Sequence, residues 1–289
     1  MKSDPLKWLD DGLPMLESGV WTEQKYLTLF NYLEVFSTAM KKIWGRRIYV
    51  DLYSGPGCTR VEGTARVLKG SPLLALSVKT LFDKYLFCEV IHRSLEALEQ
   101  RVTKLGRSTE VSYIAGDCNE CVDDIIRQIP EPSKSNTVLT FCFVDPFDLS
   151  IQLKTLRKLA VARRIDFLVL LALFMDANRN EKHYTSLENR KVDLFLDSSG
   201  WRDEWSEYKT RDDSFPRFPA RQFEKKMIEV GYLKSGQNTK EFRSSEKNLP
   251  LYHLAFFSRS QRGYDFWKKG TSYSTPQLPL DFKVIAKRS

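Results

Sequence analysis

The chain has 289 residues, 42% of them hydrophobic and 28% charged, a balance that lets a globular protein bury a sizeable core, in one large α/β domain or two small ones. Its 45 Lys+Arg against 37 Asp+Glu give a net charge of +8, which favours polyanionic partners without dictating a fold. No apolar run reaches the ~20 residues a membrane helix needs, so no membrane association is expected. The polar opening lacks a signal-peptide pattern, and the odd number of cysteines fits free thiols in a reducing cytosol, so a cytoplasmic setting is expected.

Residues 1–46 read as an N-terminal helical extension. Thr22 is a candidate N-cap for an amphipathic helix from Trp21 to Ile43, with apolar residues at Tyr26, Leu29, Phe30, Leu33 and Phe36. Lys41, Lys42, Arg46 and Arg47 cluster at its far end. Either they answer the helix C-terminus, which favours cations, or they meet a phosphate.

Ile48 to Gly57 reads IYVDLYSGPG. A β-branched apolar run ends in Asp51 and opens into a Gly-x-Gly turn, Gly55 and Gly57, where the missing Cβ lets backbone approach a ligand. Cys58 to Gly70 is then an insertion rich in Arg and Lys, and Ser71-Pro72 predicts a helix start with serine as N-cap, running to about Phe82. The delayed helix argues against a pyrophosphate seated on a helix N-terminus.

Strands are expected at Tyr85 to Val90, Val111 to Ala115, Val138 to Val144 and Asp166 to Leu173, with helices at Ser94 to Leu105, Glu120 to Ile129 and Gln152 to Ala162 between them. This alternation predicts a single Rossmann-like domain over 1–289, with a mostly parallel, doubly wound sheet. Asp51, Glu89, Asp117 and Asp145 all fall at carboxyl ends of strands, the rim where such sheets bind ligands. Residues 178–219 break the pattern and read as a helical insertion or lid over that rim; Trp201 and Trp205 are spaced as core residues. Its Arg/aromatic run from Arg211 to Arg221 fits either single-strand binding or a solvated face. Leu251 to Ser258, with a short strand before it, predicts an antiparallel C-terminal pair. Cys118 and Cys121 form a CxxC, but the three histidines are scattered and no metal site is expected.

This order of an acid on strand 1, a Gly-x-Gly turn, an acid on strand 2 and an aspartate after strand 3 resembles class I S-adenosylmethionine-dependent methyltransferases. The resemblance implies S-adenosylmethionine as cofactor. Asp51, Gly55 and Gly57 would cradle its methionine part, Glu89 its ribose and Asp117 its adenine amine; Tyr53 and Cys118 complete the implied cofactor set. Asp145-Pro146-Phe147 falls where amino-methylating nucleic-acid enzymes keep an Asp/Asn-Pro-Pro-Tyr/Phe motif, which implies a catalytic role for these three residues on a base outside the duplex. One proline of that motif is missing, so Asp145 reads equally as a general base or as part of the cofactor pocket.

More narrowly, Trp21-Thr22 with Lys25, VDLYSGPG, GSPLLAL from Gly70, FVDPF from Phe143 and YHLAFFSRSQRGYDFW from Tyr252 resemble the three-Cys-motif partner family. That resemblance implies a methyltransferase-like fold and association with a three-cysteine, radical-SAM-like protein of phage and bacterial genomes. The leading expectation is a methyltransferase acting on nucleic acid, DNA or RNA. The alternatives are a non-catalytic cofactor-binding partner protein and a methyltransferase of small molecules or proteins.

Overall fold

The computed structural model describes residues 4–106, 111–173, 181–209, 214–234, 239–243 and 250–272. Two short strands, β1 (Lys7–Trp8) and β2 (Leu16–Ser18), precede helix α1 (Trp21–Met40) and strand β3 (Arg46–Asp51). A hairpin of β4 (Cys58–Val61) and β5 (Val67–Lys69) leads into α2 (Ser71–Ala75). Then follow β6 (Lys84–Glu89), α3 (His92–Lys104), β7 (Val111–Ala115), α4 (Val122–Gln128), β8 (Val138–Val144), α5 (Leu153–Ala162) and β9 (Ile165–Leu171). Among the described residues there follow the helices α6 (Glu181–Thr185), α7 (Lys191–Leu196), α8 (Trp201–Lys209) and α9 (Arg217–Glu229). The chain closes with β10 (Thr239–Arg243), β11 (Pro250–Phe257) and α10 (Gln261–Ser272).

The main sheet has seven strands in the order β10-β11-β9-β8-β3-β6-β7. From β9 to β7 all pairings are parallel, and β11 runs antiparallel to both its neighbours. This is the expected doubly wound α/β sheet with an antiparallel C-terminal pair. The middles of its central strands are apolar on both faces because the pleat sends alternate residues into two different cores. Tyr49, Tyr85, Phe87, Phe141 and Phe143 pack on the side of α1, α3 and α10. Ile48, Val50, Leu86 and Cys142 pack on the side of α4, α5 and α9.

Three expectations change. The first 46 residues are not purely helical, and the basic insertion is not a loop: β1, β2, β4 and β5 form a second sheet, ordered β1-β5-β4-β2. Helix α2 is capped by Gly70 rather than Ser71 and spans only Ser71–Ala75. The described helices of the 178–219 insertion pack into the core beside α5 and α9, and touch the rim through Lys191 of α7, which pairs with Asp148 at 2.7 Å. Phe195 of α7 stacks on Phe223 of α9, which in turn meets Phe257 of β11, and Trp201 and Trp205 are buried in the same core as α5. Positions 178 to 180 and Arg211 to Asp213 lie outside the described residues, as does Asp176 after strand β9. Among the described residues no helix is long and apolar enough to cross a membrane.

Candidate functional site

A cavity of about 500 Å³ opens at the carboxyl rim of β3, β6 and β8. The Gly loop after β3 forms its floor. Gly55 and Gly57 hold φ of +58° and +85°, a left-handed backbone that glycine adopts without a Cβ penalty. Gly55 lines the cavity. Gly57 does not: a Cβ there would lie 2.7 Å from Leu98 Cδ1, so its role is close packing against α3.

Glu89, at the end of β6, faces the cavity and is held rigidly. Gly55 N donates to Oε2 at 2.8 Å and Ile91 N donates to Oε1 at 2.8 Å. Each carboxylate oxygen accepts two bonds, so both keep one lone pair for a ligand. Next to it, Val90 and Ile91 line the cavity with 66% and 57% of their surface exposed, an apolar wall beside a polar hook.

Asp145, at the end of β8, also lines the cavity. Lys25 of α1 donates from Nζ to Asp145 Oδ2 at 2.7 Å, and both side chains are nearly covered. The ammonium sits 5.0 Å from the ring centre of Tyr26 and 6.0 Å from that of Tyr252. Burial works to lower the Lys25 pKa, but the Asp145 carboxylate outweighs it and holds the ammonium above its ordinary range. Pro146 is buried, whereas the Phe147 ring at the cavity mouth is 80% exposed.

The other candidates are distributed differently. Asp51 is fully buried beneath the loop and does not line the cavity. It accepts hydrogen bonds from Tyr49 OH, at 3.1 Å, and Tyr53 N, at 3.3 Å. Burial raises its pKa to about 7, against the hydroxyl of Ser71, which lowers it. Tyr53 lines the cavity, and Ser150 Oγ donates to its hydroxyl at 3.2 Å. Asp117 is exposed outside the lining, its Oδ1 accepting from the backbone and side-chain nitrogens of Asn119. Cys118 is buried behind Tyr53, and burial raises its thiol to about 12. The structure therefore gathers Gly55, Tyr53, Glu89, Asp145, Pro146 and Phe147 at one cavity, and leaves Asp51, Gly57, Asp117 and Cys118 around it. Among the described residues no group of three His, Cys, Asp or Glu could hold a metal ion.

Lys25, Tyr26 and Tyr252 escape a reading of strand ends, and so does the wall made by Leu16 to Ser18 of β2. One signal was present: Lys25 lies on the same stripe as Thr22 and Leu29, three and four residues away, the face α1 buries.

No protein-family model matches the sequence, and no curated protein matches it. Solved structures similar to it include protein LPL1258 from Legionella pneumophila, 13% identical, covering 90% of this chain and 94% of that one, with a TM-score of 0.47. The O-methyltransferase TomG from Streptomyces achromogenes, solved with S-adenosylmethionine, is 11% identical over 79% of each chain, with a TM-score of 0.40. Cofactor-bound Rv0187 from MTB is 12% identical, covering 86% of this chain and 84% of that one, with a TM-score of 0.42.

Proposed function

We propose that the chain is an S-adenosylmethionine-dependent methyltransferase whose acceptor is an amino group of an unpaired nucleic-acid base. The observation that carries the cofactor reading is Glu89: a carboxylate fixed by two backbone amides, with a lone pair free on each oxygen, beside the apolar wall of Val90 and Ile91. That pairing suits a ribose diol and an adenine face. The volume of about 500 Å³ suits a ligand of this size.

The loop is unsuited to a phosphate chain. The Gly55 amide is taken by Glu89, Gly57 O accepts from Gly70 N at 2.7 Å, and the five-residue α2 begins only after the hairpin. Adenosylmethionine has no phosphate, and when bound it supplies a methyl group on a cationic sulfur. The chain's own contribution is to orient it through Glu89, Tyr53 and the Gly55 turn, and to cover it with the β2 wall.

The acceptor reading draws on Phe147, whose exposed ring at the mouth is placed to stack on a base, and on the net charge of +8. One observation favours a second reading. Asp145, the acid the resemblance sets against the acceptor, is already paired with Lys25, as suits a non-catalytic, cofactor-binding partner of a three-cysteine protein. Transfer of labelled methyl groups to single-stranded DNA, RNA and lysate fractions separates the two. The enzyme reading expects label in one nucleic-acid pool and its loss in Phe147→Ala; label in none, with the cofactor bound, upholds the partner reading.

A further inference from the structure

We propose that the Lys25–Asp145 ion pair is the receptor for the zwitterionic α-amino acid end of the cofactor, Lys25 taking its carboxylate and Asp145 its ammonium. This rests on the cofactor reading above and specifies how the far end of the ligand is held.

Among the described residues lining the cavity Lys25 is the one cation, against the carboxylates of Glu17, Glu62, Glu89, Asp145 and Asp148. An anionic group entering the cavity therefore has a single counter-ion there. The Lys25 ammonium carries three donors, and Asp145 Oδ2 is its one hydrogen-bond acceptor among the described residues. The rings of Tyr26 and Tyr252 confine it without offering it an oxygen acceptor. Asp145 is in the complementary condition, with Oδ2 held by Lys25 and no hydrogen-bond donor to Oδ1 among the described residues.

A lone ion pair in a covered site loses hydration that its mutual attraction only partly returns. A zwitterion laid antiparallel against it gives every charge a second opposite neighbour, an arrangement that a neutral or singly charged group cannot match. The placement agrees. Glu89 and Asp145 end β6 and β8, which flank β3 on opposite sides, so two strand spacings, about 10 Å, separate the nucleoside end from the amino acid end. The turn at Gly55 lies between them.

The test compares S-adenosylhomocysteine with 5′-methylthioadenosine, which keeps the nucleoside and lacks the amino acid, by calorimetry on the full chain. Wild type is expected to bind S-adenosylhomocysteine at least about tenfold more tightly. Lys25→Met should reduce that ratio to within about twofold while leaving methylthioadenosine binding unchanged, and Lys25→Arg should restore most of it. Asp145→Asn, which keeps shape and volume, should shrink the ratio as well and serves if Lys25→Met fails to fold. A ratio unchanged in these variants, or equal loss of both ligands, overturns the proposal and leaves the pair a structural role. Failure of wild type to bind either nucleoside overturns the cofactor reading itself.

Discussion

Asp51 is a carboxyl group that forms no ion pair among the described residues, buried beneath a loop and served by Tyr49, Tyr53 and Ser71. Its pKa is about 7 in the fold, against about 3.9 in an unfolded chain. A folded value above the unfolded one means that the native state binds more protons between the two. The stabilisation is thus complete below pH about 4 and is lost as pH rises through about 7. Asp166, buried on β9 and also raised to about 7 by burial, partly offset by Ser258, acts with the same sign. Urea denaturation should therefore find the wild type less stable at pH 8 than at pH 5, with Asp51→Asn and Asp166→Asn each shrinking the gap by on the order of 2 kcal/mol. A wild type that gains stability over that interval contradicts this. Asp51 was legible as a strand-end acid, but its position under the floor was not. The alternation of β3 sends it to the side of Tyr49, and only the fold of the hairpin decides that this side is closed.

At the scale of elements, the N-terminal strap is paired with β4 and β5 in the small sheet, and one side chain joins it to α3. Arg101 of α3 is wholly buried. It donates to both carboxylate oxygens of Asp11, at 2.9 and 2.6 Å, and to the carbonyls of Pro14 and Pro56 at 2.8 and 2.6 Å. One guanidinium so joins the helix, the strap and the Gly loop. Arg101→Ala removes the cation paired with Asp11 and should cost about 3–5 kcal/mol, with faster amide exchange over residues 4 to 18 as the local sign. Normal protection of that segment in a folded variant would refute the role. A second test belongs to the loop. Gly57→Ala meets both the positive φ and Leu98, and should lower stability by about 1–3 kcal/mol, measurable as a fall in Tm. The main strands were readable because they are apolar on both faces. The small sheet was not, since its strands are two to four residues long and mix Lys, Glu and Arg with apolar positions. Nor was Arg101, whose partner lies 90 residues earlier in the chain.

For the whole molecule, the charge of +8 is partly committed to structure. Arg47 donates to the carbonyls of Ser37 and Leu81, Lys84 to that of Gln128, Arg163 to that of Ile129, Arg202 to those of Thr185 and Asn189, and Arg259 to that of Ala160. Several of these carbonyls end helices, where cations are favoured, and this decides the basic cluster after α1 in favour of helix termini for Arg47. Under the proposed nucleic-acid reading, affinity draws on other, exposed cations, such as Arg93 beside the apolar wall. Anisotropy with a labelled single strand should show affinity falling between about 50 and 200 mM salt, and Arg93→Ala should reduce the slope by about one. Binding indifferent to salt contradicts the nucleic-acid acceptor. The mostly parallel sheet with its antiparallel C-terminal pair, and the strand-end positions of Glu89 and Asp145, could be anticipated from sequence, whereas the strand order and the cavity's far wall could not. It is built by α1 and β11, and Lys25 and Asp145 meet across 120 residues of chain.

The claim on which these readings depend is that Glu89 holds a nucleoside in this cavity. Titration calorimetry of S-adenosylhomocysteine into wild type and Glu89→Gln tests it directly. One-to-one binding that the substitution weakens by at least about tenfold is the predicted result. Heat that is absent from the wild type, or an affinity unchanged in a folded Glu89→Gln, would contradict it.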